Sequence, residues 1–142
     1  MTTTENALYT ASAVATGEGR DGHVASTDGQ LDLDVRISKE MGGAGGATNP
    51  EQLFAAGYAA CFHSALRVVG QRSGADVGDS EVVADVSISA TEQGGFQLAV
   101  GLEVTLPNLD REAAERLVEQ AHQVCPYSNA TRGNIEVALS VA

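Results

Sequence analysis

The sequence is poor in basic residues and in aromatic residues. Only 8 Lys and Arg accompany 19 Asp and Glu, which gives a formal charge of -11, and tryptophan is absent. Such a surface repels phosphate backbones and anionic lipid headgroups, so it argues against binding to nucleic acid or to a membrane surface. Because aromatic residues make up 4% of the 142 residues, the core must be built from Ala, Val and Leu.

The sequence also lacks segments that would direct it to a membrane. No run reaches the ~18 apolar residues of a membrane span. The first residues, Met1 to Glu5, have neither the basic nor the apolar region of a signal peptide. We therefore expect a cytoplasmic protein, and its length predicts a single domain over residues 1–142.

Apolar and polar side chains alternate at the period of a β-strand in several stretches. These stretches are residues 31–37, 82–88, 96–106 and 135–141, with a weaker fifth at 7–15. One face of each stretch is polar, which predicts antiparallel strands with a single buried face. Residues 92–95 between two of them predict a hairpin loop.

Two segments carry the start and stop signals of helices. The first begins at Asn49, a suitable N-cap that is followed by proline, and continues to about Arg72. The second extends from about Asp110 to Val124, and Pro126 forbids its continuation. Each predicted helix contains, or ends beside, one of the two cysteines.

The two cysteines need an explanation, because the cytosol keeps thiols reduced. Cys61 lies near the middle of the first helix on its apolar stripe, and spacing alone favours a buried structural cysteine. Apolar surroundings raise a thiol pKa, and the helix dipole fades within one turn, so a reactive Cys61 requires a cation from elsewhere. Cys125 lies in a turn-rich segment after the second helix, where a thiol could approach the first one or simply be buried.

Few residues could supply that cation. Arg67 and Arg72 lie on the same helix, but off the Cys61 face or beyond its reach, and Arg111 and Arg116 belong to the polar side of the second helix. Arg20 differs, because it lies in a glycine-rich turn between early strands that can project a side chain inward. A guanidinium there could stabilise a thiolate, although a turn residue that faces water fits the sequence as well.

Three other kinds of site fit the residues less well. Cys61 and His63 are two residues apart and so lie on different helix faces, and His122 with Cys125 completes no metal-ligand spacing. A Cys–His protease arrangement would need an oriented histidine near Cys61 and gives the second cysteine no role. The glycine-rich residues 42–46 lack the Lys-Ser/Thr ending of a phosphate loop and predict a flexible or tight turn.

Two long segments resemble those of a known family. Residues 48–62, TNPEQLFAAGYAACF, and residues 125–134, CPYSNATRGN, are similar to the two cysteine segments of organic hydroperoxide resistance proteins, the Ohr branch of the Ohr/OsmC family. The glycine run at 42–46 and the turn at 19–22 also resemble theirs, with Glu18 as an extra residue before the turn. The resemblance covers essentially the whole chain.

The resemblance implies a thiol peroxidase that reduces organic hydroperoxides to alcohols. By this resemblance Cys61 is the peroxidatic cysteine and Cys125 the resolving cysteine. Arg20 is then the cation that stabilises the thiolate, and Glu51, about three helical turns before Cys61, is the carboxylate that orients Arg20. The reaction would pass through a Cys61 sulfenic acid and a Cys61–Cys125 disulfide.

The same resemblance implies an α+β, OsmC-like fold, with antiparallel sheets around two main helices in an intertwined homodimer. It implies no bound cofactor, and dihydrolipoyl groups of lipoylated partner proteins as the reductant. The apolar helix face makes Phe54 and Phe96 candidates for a pocket that favours organic hydroperoxides. A non-enzymatic redox sensor that uses the same cysteine pair, or a small-molecule binding domain with inert cysteines, are the alternatives.

Overall fold

The computed structural model describes residues 6–142. Its contacts divide the chain into two units, Met1–Pro50 and Glu51–Ala142, and each unit holds a three-stranded sheet of its own. The mixture of helices and sheets confirms the predicted α+β class. The single domain expected over residues 1–142 stays a prediction.

The first unit contains an antiparallel sheet in the order β1-β2-β3, formed by Ala13–Glu18, Asp21–Ser26 and Asp32–Asp34. A two-residue turn, Gly19 and Arg20, joins β1 to β2. Gly19 adopts a φ of +66°, which glycine tolerates without steric cost.

Sequence patterning located this first sheet poorly. The strand expected at residues 7–15 begins only at Ala13, and β2 was missed because its sequence, DGHVAS, does not alternate. The strand expected at 31–37 keeps only three residues. Among the apolar residues of this predicted strand, Val35 is buried, whereas Leu33 is 37% exposed. The strand therefore does not have a single buried face.

The second unit begins with a long helix and ends in a second sheet. Its elements are α1 (Pro50–Ser73), β4 (Glu81–Ala90), β5 (Phe96–Thr105), α2 (Arg111–Val124), α3 (Pro126–Thr131) and β6 (Val137–Val141). The two predicted helices are confirmed to within one residue. Asp110 caps α2, because its carboxylate accepts a hydrogen bond of 2.8 Å from the Ala113 amide.

The second sheet has the order β4-β5-β6. β4 and β5 pair antiparallel around the predicted hairpin loop. The expectation that all strands are antiparallel is wrong for β6, which pairs parallel to β5. The reason is the connection: α2 and α3 lie between β5 and β6, and such a crossover returns the chain in the same direction.

Pro126 does not introduce a plain turn, as the sequence suggested, but starts α3. Proline suits the first position of a helix, because its missing N–H would have no partner there. Cys125 is therefore both the residue that ends α2 and the N-cap of α3. The short helix places the cysteine at a junction between two helices.

The core of the second unit is mainly aliphatic, as expected, with two aromatic side chains from α1. By length and composition α1 could also cross a membrane, a test that core helices of other proteins pass as well. The buried face of α1 packs into this core. The fully buried large side chains of this core are Tyr58, Phe62, Leu66, Leu102 and Val104.

Candidate active site

The structure brings the two cysteines together. Cys61 lies on α1 and Cys125 at the start of α3, 64 residues further along the chain, and their sulfurs are 3.5 Å apart. Cys125 is fully buried, whereas Cys61 is partly exposed. A disulfide needs the sulfurs at about 2.05 Å, so only a small movement separates the two thiols from a covalent bond.

The surroundings of Cys61 oppose its ionisation. Burial raises the pKa of the Cys61 thiol, and the adjacent Cys125 thiol raises this pKa further, while the backbone N–H of Tyr127 lowers it by hydrogen bonding. The expectation that apolar surroundings disfavour the thiolate is confirmed. A reactive thiolate at this position therefore needs an additional positive charge.

The residues predicted to supply and orient that charge lie in different units. Arg20 occupies the turn between β1 and β2 in the first unit, as the sequence indicated, and is partly buried. Glu51 lies in the first turn of α1 and is also partly buried. Their roles toward Cys61 stay predictions.

Three of the six aromatic side chains form a cluster beside the cysteine pair. The ring centres of Tyr58 and Tyr127 are 5.6 Å apart, and Phe54 lies 6.2 Å and 6.1 Å from these two rings, with edge-on geometry. Edge-to-face pairs at such distances are favourable. Phe54 and Cys61 both pack against the core to which Tyr58 belongs.

A cavity of about 410 Å³ opens next to this cluster. Its lining includes both residues that the sequence suggested for a substrate pocket, Phe54 from α1 and Phe96 from the start of β5. Leu98 and Ile135 add apolar surface, and Asn134 adds a polar group. A small molecule with an apolar body could occupy this space.

Sequence reasoning missed a set of hydrogen-bonded polar side chains on the helices that carry the cysteines, of which three are buried and His122 is partly buried. The Tyr58 hydroxyl is hydrogen-bonded to Ser128 at 2.8 Å and to Thr131 at 3.1 Å, and the Nδ1 atom of His122 lies 2.8 Å from the Ser128 hydroxyl. The only signal in the sequence was that Tyr58 and Ser128 lie within the two cysteine segments. Their pairing requires the folded chain.

The two histidines nearest the cysteines in the sequence are each hydrogen-bonded to a serine. His63 is hydrogen-bonded to Ser80 at 2.9 Å, and His122 to Ser128. Among residues 6–142, no group of three or more His, Cys, Asp or Glu side chains is arranged to hold a metal ion.

The model of the OsmC-like protein family matches residues 43–140, a span that includes both cysteines. The chain belongs to this family. It is 49% identical to an organic hydroperoxide resistance protein from Xanthomonas axonopodis pv. citri, over the full length of both chains. The expected recognition, that of the organic hydroperoxide resistance branch of this family, is thereby confirmed.

Solved structures of relatives have the same fold. A structure from Legionella pneumophila, described as an organic hydroperoxide resistance protein, is 54% identical, covers 96% of this chain and 98% of its own, and superimposes with a TM-score of 0.92. One from Vibrio cholerae, with captopril bound in one of its active sites, is 49% identical and superimposes with a TM-score of 0.89 over 95% of this chain and 92% of its own. The OsmC-like fold expected from the sequence is confirmed.

Proposed function

We propose that this OsmC-like protein is a thiol-dependent peroxidase that reduces organic hydroperoxides to alcohols. The observation that carries the proposal is the 3.5 Å separation of the Cys61 and Cys125 sulfurs in a chain whose relatives are named for organic hydroperoxide resistance. Two thiols held at this distance can alternate between a dithiol and a disulfide.

In the first step the Cys61 thiolate attacks the distal oxygen of the hydroperoxide. A sulfur–oxygen bond forms, the oxygen–oxygen bond breaks, and the alkoxide leaves with a proton from solvent as the alcohol. Cys61 is left as a sulfenic acid. Cys61 is the more exposed of the two sulfurs, which fits the role of the thiol that meets the substrate.

In the second step the Cys125 thiol attacks the oxidised sulfur. A sulfur–sulfur bond forms, the sulfur–oxygen bond breaks, and the hydroxyl leaves as water with the thiol proton. The complete burial of Cys125 shields it from the peroxide, so this thiol is available to resolve the sulfenic acid before a second peroxide reacts.

Arg20 and Glu51 complete the proposed machinery. The guanidinium of Arg20 lowers the pKa of Cys61 against the effect of burial, and Glu51 orients that guanidinium. We place the hydroperoxide's alkyl group in the cavity lined by Phe54 and Phe96. Apolar lining stabilises a bound alkyl chain, so organic hydroperoxides should react faster than hydrogen peroxide.

The proposed cycle closes when a dithiol reduces the disulfide by exchange. Dihydrolipoyl groups carried by lipoylated proteins are the proposed reductant, and no bound cofactor is required. We also propose a homodimer in the cytoplasm. Exposed apolar side chains in the first unit, among them Val14 and Leu33, are the kind of surface that a second protomer buries.

The deciding experiment measures consumption of an alkyl hydroperoxide with dihydrolipoamide or glutathione as reductant. Wild type should turn over with the dithiol, and Cys61→Ser should be inactive. Cys125→Ser should consume about one equivalent and then stall or overoxidise, unless the dithiol resolves its sulfenic acid directly. Full activity of Cys61→Ser would contradict the proposal, and a single stoichiometric oxidation of wild type without turnover would instead indicate a redox sensor.

A further inference from the structure

Three helices of the second unit are joined by one chain of hydrogen bonds, which is buried at Tyr58 and Ser128 and partly buried at His122. Tyr58 extends from α1, His122 from α2, and Ser128 from α3, and the Ser128 hydroxyl lies 2.8 Å from a polar atom of each of the other two. Tyr58 and Ser128 are fully buried. Buried hydroxyls without partners are costly, so this arrangement favours one relative position of the three helices.

The chain of hydrogen bonds lies on the turns that carry the two sulfurs. Tyr58 precedes Cys61 by three residues on α1, and Ser128 follows Cys125 by three residues on α3, so each pair is separated by about one helical turn. A translation of α3 away from α1 would lengthen both the distance between the two hydroxyls and the distance between the two sulfurs.

Further hydrogen bonds fix the junction between α2 and α3. The guanidinium of Arg132 donates a hydrogen bond to the carbonyl oxygen of His122 at 2.5 Å and another to Asn129 at 2.8 Å. The Cys125 amide donates to the Ala121 carbonyl at 2.9 Å. The backbone around Cys125 is thus fixed to α2 and α3. The Ser128 hydroxyl at 2.8 Å and the Thr131 hydroxyl at 3.1 Å both tie α3 to α1 through Tyr58, and Ser128 makes the shorter bond.

We propose that Tyr58, Ser128 and His122 are positioning residues for the sulfur pair, which keep Cys125 within bonding reach of Cys61 and so favour the disulfide. The inference rests on the proposed function only in taking that disulfide to be the working state. The positioning itself can be measured without any peroxide.

The measurement is the equilibrium between dithiol and disulfide in a buffer of reduced and oxidised dithiothreitol. Cys61 and Cys125 together lose two electrons and two protons to the oxidised reagent, which becomes the dithiol, and the oxidised fraction is read by thiol alkylation and mass spectrometry. In Ser128→Ala the equilibrium constant for disulfide formation should fall about tenfold, because the loss of one buried hydrogen bond lets the sulfurs separate.

The protein offers a matched control. His63 on α1 is hydrogen-bonded to Ser80, the same type of bond on the same helix but outside the chain that reaches α3. Ser80→Ala should change the equilibrium constant less than twofold. If Ser128→Ala changes it no more than Ser80→Ala does, the positioning role is wrong.

Two further variants separate positioning from a general loss of structure. Tyr58→Phe keeps the ring and removes only the hydroxyl, so it should lower the constant although the fold is retained. His122→Asn keeps a hydrogen-bonding group at the δ position and should stay within threefold of wild type, whereas His122→Leu should resemble Ser128→Ala. Equal constants for the two His122 variants would contradict the proposal.

A peroxide experiment then tests the consequence for the reaction. After one equivalent of alkyl hydroperoxide, Ser128→Ala should form the Cys61 sulfenic acid at the wild-type rate but retain it at least tenfold longer, as trapped by dimedone. If wild type does not react with hydroperoxides while the dithiothreitol equilibria behave as expected, the proposed function fails and the positioning role stands. Unchanged lifetimes would instead contradict the positioning role.

Discussion

The ionisation of Cys61 is the central question at the scale of single residues. Burial raises its thiol pKa, and the Tyr127 amide offsets this only in part. The proposed source of the missing charge is Arg20, which the sequence patterns left open as a turn residue facing water and which the resemblance to the family assigned to this role. Arg116, one of the arginines on the helices, is 64% exposed and lies 3.2 Å from Glu112, as a solvated surface pair would.

Replacing Arg20 should therefore change the acidity of one particular thiol. In a Cys125→Ser background, Arg20→Met should raise the Cys61 pKa by about one unit or more. The reaction of Cys61 with one equivalent of hydroperoxide should then slow about tenfold at a pH below that pKa. The pKa is measured from thiolate absorbance during a pH titration. Arg116→Met is the control and should leave it unchanged; an unchanged pKa in Arg20→Met would remove Arg20 from the mechanism.

The hydrogen-bonded side chains of Tyr58, Ser128 and His122 show the limit of reasoning residue by residue. Tyr58 and Ser128 read as ordinary members of apolar or turn-rich segments, and the spacing of His122 from Cys125 matches no metal site. Each becomes informative through its partner, which is up to 70 residues away in the sequence. The pattern of residues within one segment does not indicate which distant side chain each residue will contact.

At the scale of secondary structure elements, α2 depends on its N-cap. The Asp110 carboxylate accepts the amide hydrogen of Ala113, one of the four at the helix start that lack a partner within the helix. Asp110→Ala should lower the free energy of unfolding by about 1 kcal/mol. Asp110→Asn should lower it much less, because asparagine is also a good N-cap. Urea unfolding followed by circular dichroism measures both. Equal losses in the two variants would show that capping is not the cause.

The contact between α1 and α3 depends on a glycine. A methyl group added at Gly57 would lie 2.8 Å from the Tyr127 hydroxyl, too close for two non-bonded atoms. Gly57→Ala should therefore destabilise the protein by about 1 kcal/mol, although alanine is the better helix former. Adding Tyr127→Phe should recover part of that loss in a double-mutant cycle of unfolding free energies.

A second glycine provides the control for this experiment. A methyl group added at Gly101 in β5 meets no atom within 4 Å, so Gly101→Ala should change stability by less than about 0.5 kcal/mol. If Gly57→Ala and Tyr127→Phe prove additive, the close approach of the two helices does not set the stability at this point.

At the scale of the whole molecule, two histidines give stability opposite dependences on pH. The carboxylates of Asp34 and Asp32 accept hydrogen bonds from the His23 ring and raise its pKa above 6.5, so the folded state holds the proton of His23 to higher pH than the unfolded chain does. The contribution of His23 to stability is fully present below pH 6.5 and is lost as the pH rises through the pKa of His23 in the folded state. Burial and then the charge of Arg132 lower the pKa of His122, although Glu119 opposes this shift. Its effect is a loss of stability as the pH falls below 6.5.

The two effects can be separated by substitution. The difference in melting temperature between wild type and His23→Gln should shrink as the pH rises above 6.5. The melting temperature of wild type relative to that of His122→Asn should increase as the pH rises toward 6.5. Scanning calorimetry between pH 5 and 8 measures both, and slopes of the same sign would contradict the assignment.

The sequence by itself determined what depends on neighbouring residues. Capping and periodicity located α1, α2 and the β4–β5 hairpin, because these signals act over one or two turns. The two cysteine segments indicated the family, which the comparison with known proteins confirmed.

Only the tertiary structure decided what depends on distant residues. It placed the Cys61 and Cys125 sulfurs 3.5 Å apart, joined Tyr58 to Ser128, and paired β6 parallel to β5. The physical reason is that packing of the apolar faces fixes the relative position of helices and strands, and no local pattern specifies which distant partner a buried polar group or a strand edge will meet.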